Sequence, residues 1–198
     1  MEKINQDNTK YWDKVYSGQP YQDRISNDRQ LWKDFLDQAI DHSKPLKILE
    51  FGCGVGDYTA YLKSKGHDVV GVDYSPEAIK VARSRYPDGN YKIKDIRDFQ
   101  DFQKWDLIIA FEVIEHLKKY DSVLYWLRRG IRPDGKFIFS LPHKEGRFGV
   151  FPEHFTLWDH NIIAEVFGRY WNKLSFYTVN AMCNGTNIFG TAERVKKQ

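Results

Sequence analysis

The sequence has 198 residues, of which 41% are apolar, 29% are charged and 16% are aromatic. These are the values of an ordinary globular chain, and they exclude a disordered segment and a coiled coil. The formal net charge of +3 at pH 7 comes from 30 basic and 27 acidic side chains, which is not the charge pattern of a nucleic-acid-binding protein.

The same composition favours one domain over residues 1–198 without a membrane anchor. No apolar run approaches the ~20 residues that span a bilayer, and the amino terminus has no signal-peptide core. Only Cys53 and Cys183 occur, so we expect reduced thiols and a cytoplasmic location.

Residues 1–44 precede the first predicted strand and contain six aromatic residues that favour a helical cap. They are Tyr11, Trp12, Tyr16, Tyr21, Trp32 and Phe35. An aromatic helix face either packs on its domain or covers a ligand, and both interpretations are open for this segment.

The middle of the chain alternates between strand and helix patterns. Apolar runs predict strands over residues 46–51, 68–73, 91–94, 105–111 and 135–141. Amphipathic patterns predict helices near residues 57–66, 76–86 and 120–130. Such alternation predicts a parallel sheet with helices on both faces and ligands at the carboxyl ends of its strands.

Local signals mark several element ends. Ser75 before Pro76 predicts a helix start, and Asp134-Gly135 predicts a turn into the fifth strand. Two further strands, residues 173–180 and 186–192, follow a short helix and flank Asn184-Gly185, a strong hairpin signal. The predicted fold is therefore α/β, Rossmann-like, with a seven-stranded, mostly parallel sheet that ends in an antiparallel hairpin.

A glycine-rich turn directly follows the first strand, in Glu50-Phe51-Gly52-Cys53-Gly54-Val55-Gly56. Glycines let backbone N–H groups approach a ligand, and Asp73 at the end of the next strand can accept from both hydroxyls of a ribose. The G-x-G-x-G spacing differs from the nicotinamide fingerprint G-x-G-x-x-G. Because Glu50 repels phosphate, we predict an adenosine-containing ligand with an ammonium or sulfonium group.

Four ordered motifs resemble those of class I S-adenosylmethionine-dependent methyltransferases, most closely small-molecule enzymes such as the ubiquinone-biosynthesis methyltransferases. They are the glycine turn, Val72-Asp73-Tyr74-Ser75, Asp95-Ile96 and Phe111-Glu112-Val113-Ile114-Glu115-His116. The resemblance is close over residues 46–142. It implies S-adenosylmethionine as the cofactor and a helical segment that folds over it.

The resemblance also implies a role for each motif residue. Glu50, Gly52, Cys53 and Gly54 would hold the methionine part, and Asp73 with Tyr74 would hold the ribose side. Asp95 and the N–H of Ile96 would contact adenine. Phe111 and Glu112 would line the methionine side.

Histidines are candidates for a general base, because their ordinary pKa lies near neutrality. His116, His143 and His154 follow strand ends on the cofactor side, whereas His42, His67 and His160 do not. We favour His154, with His116 as the second choice. His154 lies in residues 143–158, whose glycines and phenylalanines predict a substrate lid.

A divalent metal is the less favoured interpretation of the same residues. Glu112, Glu115, His116 and His154 resemble the two-Glu, two-His metal set of small-RNA 2′-O-methyltransferases. The Glu-x-x-Glu-His element also resembles that of the ubiquinone-biosynthesis enzymes. Such ligands could hold a cation that lowers the pKa of a hydroxyl. Because the pattern is common without a metal, we predict none.

The sequence thus predicts methyl transfer to an oxygen of a small metabolite, with nitrogen or carbon as less favoured acceptors. A metal-dependent RNA 2′-O-methyltransferase and a catalytically inactive cofactor-binding partner subunit are the alternatives. We expect a small-molecule substrate, no membrane or nucleic-acid partner, and a monomer or homodimer.

Overall fold

The computed structural model describes residues 6–17, 29–95, 101–145, 154–181 and 185–193. Its helices are α1 (Gln6–Ser17), α2 (Arg29–Ala39), α3 (Asp57–Ser64), α4 (Pro76–Arg85), α5 (Tyr120–Gly130) and α6 (His160–Phe167), with a 3₁₀ turn at Ile114–His116. Its strands are β1 (Lys47–Phe51), β2 (Asp68–Asp73), β3 (Asn90–Ile93), β4 (Trp105–Phe111), β5 (Ile131–Pro142), β6 (Lys173–Ala181) and β7 (Gly185–Glu193). Within those ranges, no helix has the length and apolarity needed to cross a membrane.

The seven strands form one sheet in the order β3-β2-β1-β4-β5-β7-β6. The β1–β2, β1–β4, β2–β3 and β4–β5 pairs are parallel, whereas β7 is antiparallel to both β5 and β6. The predicted fold class is therefore confirmed. The predicted Asn184-Gly185 hairpin is seen as pairing of Ala181 with Gly185, while Asn184 itself lies outside the described residues.

Alternation along the central strands explains why helices cover both faces of the sheet. In β1, Ile48 packs with α2, whereas its neighbour Leu49 packs in the cluster that contains α5 and α6. The same alternation separates Ile138 from Phe139 in β5. Successive side chains of a strand point to opposite faces, so two apolar layers form from one run of apolar residues.

The prediction that the fifth strand starts after a turn at Asp134-Gly135 is wrong. β5 begins at Ile131, and the register shifts between Trp105, which pairs with Ile131, and Leu107, which pairs with Lys136. Asp134 and Gly135 therefore lie inside β5, where its pairing with β4 is irregular in the manner of a β-bulge. A Cβ on Gly135 would lie 2.7 Å from the Asp106 carbonyl oxygen, so this close approach requires glycine.

The predicted cap over residues 1–44 consists of two different parts. In α2, Trp32, Phe35 and Leu36 are buried in the core. In α1 no side chain over residues 10–17 is fully buried. Only α1 therefore has the exposure expected of a cap, and Tyr21 lies outside the described residues.

A chain of polar contacts joins α2 to the loop before β2, at the end of the sheet opposite the glycine turn. The Leu46 N–H donates to His67 Nδ1 at 3.1 Å. His67 Nε2 lies 2.8 Å from His42 Nδ1, and His42 Nε2 lies 3.1 Å from Asp37 Oδ1. Because His67 Nδ1 accepts from Leu46, the proton of the neutral His67 ring belongs on Nε2.

We predict that this chain makes the effect of His67→Asn on stability depend on pH. Burial, and then the His42 charge, lower the pKa of His67 in the folded state. Protonation therefore favours the unfolded state, and the His67 contribution is lost as pH falls below its unfolded value of about 6.5. Asparagine can still accept from Leu46 but does not titrate.

The measurement is urea unfolding of the wild type and His67→Asn at pH 7.5 and 5.5. We expect the variant to be less stable by roughly 1 kcal/mol at pH 7.5, and this difference in stability to be smaller at pH 5.5. Comparing the two proteins at each pH removes the titration of their shared carboxylates. A difference independent of pH would contradict the assignment.

Candidate functional site

The turn after β1 has a backbone that only glycine adopts readily. Gly52 and Gly54 have φ values of 70° and 50°. The Gly52 and Cys53 N–H groups donate to the Val72 carbonyl oxygen at 2.8 and 3.0 Å, which ties the turn to β2. The Cys53 thiol is buried, and burial raises its pKa. Cys53 therefore has an inert side chain at this turn, and any ligand contact would come from its backbone.

Asp73 lies at the end of β2 and connects two loops. Its Oδ2 accepts from the Gly54 N–H and its Oδ1 from the Ser75 N–H, each at 2.9 Å. Burial raises the pKa of Asp73 to about 6, although those two backbone donors oppose the rise. The carboxyl group is thus fixed at the mouth of the glycine turn, where the predicted ribose would lie.

Glu50 lies near the end of β1, beneath the same turn. Its carboxyl group accepts from the Thr59 hydroxyl at the first turn of α3. Burial raises the pKa of Glu50 to about 8, with the nearby Asp57 and Asp73 charges adding to the effect. Without a ligand Glu50 is therefore mostly protonated at neutral pH, and a cation beside it would favour its ionised form.

The other predicted cofactor residues lie along the same edge. Tyr74 is half-buried, and burial raises its pKa, with smaller contributions from the charges of Asp73 and Asp95. Asp95 is itself half-buried at the end of the β3 segment. Ile96 lies outside the described residues.

Phe111 and Glu112 lie where β4 ends. The Phe111 ring contacts Tyr58 edge-on, with centroids 5.2 Å apart. Glu112 has φ of 53°, a conformation that costs a non-glycine residue about 1–3 kcal/mol and is typical of functional sites. Ser140 stabilises it, because the Glu112 N–H donates to the Ser140 carbonyl oxygen at 3.2 Å and the Ser140 hydroxyl donates to Glu112 Oε1 at 2.7 Å.

A cluster of titratable side chains follows in the 3₁₀ turn. Glu115, His116 and His154 each offer a ligand atom within 4.8 Å of the others. The His116 and His154 ring centroids are 4.8 Å apart, and His116 Nε2 lies 3.7 Å from Glu115 Oε1. The Phe155 N–H donates to the Glu115 carbonyl oxygen at 2.8 Å, which holds His154 beside the turn.

Glu115 is the most deeply buried member of this cluster. Its side chain is 1% exposed, and neither carboxyl oxygen has a hydrogen-bond partner among the described residues. Burial raises its pKa well above the usual range, and the Glu112 charge adds to this. Such a carboxyl group stays protonated unless a cation or a hydrogen-bond donor compensates its negative charge.

The structure brings together only part of each predicted set. His143 lies apart from the cluster, with its ring 6.1 Å from that of His160. The Glu112 carboxyl group interacts with Ser140, so Glu112 is absent from the group of three that can share an ion. Of the predicted lid, residues 146–153 lie outside the described residues. Trp158, at its end, is fully buried in the core.

Sequence reasoning missed several supporting side chains. Thr59 and Ser140 hold the two acidic residues Glu50 and Glu112, and no motif marks either hydroxyl. Asp13 of α1 is the acceptor for the Ser75 hydroxyl, before α4. Its only sequence signal was its place in the aromatic segment of α1.

The combined site is acidic and lies at the carboxyl ends of the strands. The buried side chains of Glu50, Asp73 and Glu115 and the half-buried Glu112 lie at the edge formed by β1, β2 and β4. Such a site suits a cationic ligand, while the two imidazoles provide proton acceptors.

Comparison with known proteins gives a consistent result. The family described as "Methyltransferase domain" matches residues 24–181. A ubiquinone biosynthesis O-methyltransferase from Actinobacillus pleuropneumoniae serotype 7 (strain AP76) is 27% identical over 150 residues, which cover 71% of this chain and 62% of that enzyme. The chain thus spans less than two thirds of the length of this curated relative, and a Salmonella paratyphi A enzyme of the same name is covered to 44%.

Solved structures show the same fold at low identity. The N-methyltransferase NodS from Bradyrhizobium japonicum WM9, in complex with S-adenosyl-L-homocysteine, has a TM-score of 0.78 at 17% identity, with 96% of this chain and 100% of that one covered. Magnesium protoporphyrin IX methyltransferase from Synechocystis PCC 6803 has a TM-score of 0.69 at 19% identity, with 96% of each chain covered.

We predict that Glu50→Gln stabilises the ligand-free protein increasingly as pH rises. The folded-state pKa of Glu50 is raised to about 8 from an ordinary value of 4.5. Between these values the folded state holds the proton more tightly, so the wild type loses stability with rising pH. Glutamine does not titrate and can still accept from Thr59.

Urea unfolding without ligand at pH 5.5 and 8.5 measures this effect. The advantage of Glu50→Gln over the wild type should grow by roughly 1–3 kcal/mol across this range. Glu193→Gln is the control, because Lys173 and Lys136 lower the pKa of Glu193 and it stays ionised throughout. Equal behaviour of the two variants would contradict the burial argument.

Proposed function

The chain belongs to the methyltransferase-domain family of class I, S-adenosylmethionine-dependent enzymes, and we propose that it methylates an oxygen atom of a small metabolite. The observation that supports oxygen as the acceptor is the pair of histidines beside buried Glu115. A hydroxyl must lose its proton as it is methylated, and imidazole is the side chain best matched to that task. The similarity to a named O-methyltransferase points the same way.

In this proposal the cofactor lies across the carboxyl ends of β1 and β2. The ammonium group of its methionine part lies at Glu50, and the backbone of Gly52, Cys53 and Gly54 lies along that part. Its ribose hydroxyls donate to Asp73 beside Tyr74. Adenine lies at Asp95 and Ile96, and Phe111 with Glu112 lines the methionine side.

Methyl transfer is an in-line displacement that requires little covalent help from the protein. A lone pair of the acceptor oxygen forms the new bond to the methyl carbon while the S–CH₃ bond breaks and its electron pair stays on sulfur. The acceptor proton passes to His154, with His116 beside it and beside Glu115. Residues 143–158, the proposed lid, would exclude water, and catalysis would come mainly from positioning.

A metal-dependent RNA 2′-O-methyltransferase is the second candidate. It is supported by the unpartnered Glu115 oxygens and the two imidazoles within 4.8 Å, which together fit a divalent cation. A bound cation would lower the pKa of an acceptor hydroxyl. The dispersed basic side chains do not favour RNA. For the first candidate, we propose that the protein acts in the cytoplasm as a monomer or homodimer.

Transfer of labelled methyl from S-adenosylmethionine tests both candidates. The full chain is incubated with separated metabolite, RNA and protein fractions, each with and without chelator. We expect label in a metabolite regardless of chelator. Chelator-sensitive label in RNA would favour the second candidate, and direct calorimetry with Mg²⁺, Mn²⁺ and Zn²⁺ would test the cation apart from activity.

In that assay His154→Ala should lower transfer by about 100-fold or more, because general-base catalysis contributes roughly 10²–10⁴-fold. Affinity for S-adenosylhomocysteine should change little. His143→Ala is the matched control, since His143 follows the neighbouring strand but lies outside the cluster. Full activity of His154→Ala would exclude His154 as base and as metal ligand.

Asp73→Asn should weaken binding of S-adenosylhomocysteine by about 10–100-fold, since hydrogen bonds to a charged group contribute roughly 1.5–3 kcal/mol. Asparagine keeps one acceptor oxygen for the loop, so the variant should stay folded. Isothermal titration calorimetry gives the affinity, and thermal unfolding without ligand serves as the folding control. Unchanged affinity in a folded variant would remove the ribose assignment.

A further inference from the structure

Helix α1 connects the cofactor side of the site to the histidine cluster. Tyr16 lies over the glycine turn, with its hydroxyl oxygen 3.0 Å from where a Cβ of Gly54 would be. Four residues earlier, the Trp12 ring contacts the His116 ring edge-on, with centroids 4.9 Å apart and planes at 75°. Residues four apart lie on one helix face, so α1 contacts both sides at once.

The polar contacts of Asp13 join α1 to the start of α4. Asp13 accepts from the Ser75 hydroxyl and lies 3.4 Å from the Glu77 nitrogen, at the start of α4. Trp12, Asp13, Val15 and Tyr16 are only half-buried. Loss of the Asp13 contacts would therefore weaken the docking of α1 on the domain.

Trp12 and His154 both contact the His116 ring edge-on. The His154 ring is 4.8 Å from that of His116, at 65°, and Trp12 is 4.9 Å away at 75°. Edge-to-face contacts of this kind contribute about 0.5–1.5 kcal/mol beyond the area they bury. The imidazole is thus restrained by Trp12 only when α1 is docked.

We propose that Trp12 is a positioning residue for His116, and that docking of α1 through Asp13 assembles the acceptor side of the site. The inference rests on the proposed function, in which His116 lies beside His154, the residue that takes the acceptor proton. One helix then closes over the cofactor turn and fixes the imidazole in the same movement. Catalysis is sensitive to such placement, since a misplacement of about 1 Å can cost roughly 100-fold.

Trp12→Leu tests this inference, with Trp12→Phe as the conservative variant. For Trp12→Leu we expect initial transfer of labelled methyl into the metabolite fraction to fall about 10-fold or more. The S-adenosylhomocysteine dissociation constant should change less than about twofold. Trp12→Phe should restore most of the rate. Trp126→Leu is the control, because Trp126 is half-buried on α5, where its ring contacts Tyr125.

A nuclear magnetic resonance measurement tests the contact between Trp12 and His116 and its dependence on the docking of α1 through Asp13. In protein labelled at histidine Cε1, the His116 signal carries the ring-current shift of Trp12, and His116→Gln assigns it. Trp12→Leu should move that signal toward its position in the unfolded chain and leave the His42 and His67 signals unchanged. Asp13→Ala, which removes the Asp13 contacts with Ser75 and Glu77, should move the His116 signal in the same direction.

The double variant Trp12→Leu/Asp13→Ala completes the test. If α1 docking acts through Trp12, the double variant should lose no more activity than the more impaired of the two single variants. If the losses of methyl transfer in the two single variants multiply in the double variant, Trp12 and Asp13 act independently and the coupling is refuted. An unmoved His116 signal together with full transfer in Trp12→Leu would overturn the inference. Absence of transfer in the wild type would instead refute the proposed function, and the signal would still test the contact.

Discussion

The site depends on the position of β1 between β2 and β4. Glu50 pairs with Gly71 on one side and with Ile109 on the other. The chain leaves β1 toward one edge of the sheet and returns at β4 toward the other, so a crevice opens where the direction reverses. Glu50, Asp73 and Glu112 lie around that crevice because each ends a strand of the same parallel set.

Concentrating acidic groups at one edge has an energetic cost that the ligand can offset. Burial raises the pKa of Glu50 to about 8, of Asp73 to about 6 and of Glu112 to about 7. Without a ligand Glu50 is therefore mostly protonated at neutral pH, and a cationic ligand that favours its ionised form would stabilise the folded state. A sulfonium cofactor with an ammonium group fits this electrostatic environment.

The acceptor side is built differently. Its histidines lie on short segments, the 3₁₀ turn and the residues before α6, while the cofactor side is fixed by strands and backbone hydrogen bonds. In the proposed function, the strands and their turns hold the cofactor and the segments around them set substrate choice. Helix α1 is the element that contacts both parts.

The sequence alone determined the seven-stranded fold, the glycine turn and the acidic residues at the strand ends, because strand alternation and glycine conformation are local properties. Tertiary structure decided what lies far apart along the chain. It placed the His143 ring beside His160, joined Glu112 to Ser140, and buried Trp158 in the core. It also brought Trp12 to His116, a contact between distant segments that no spacing in the sequence could reveal.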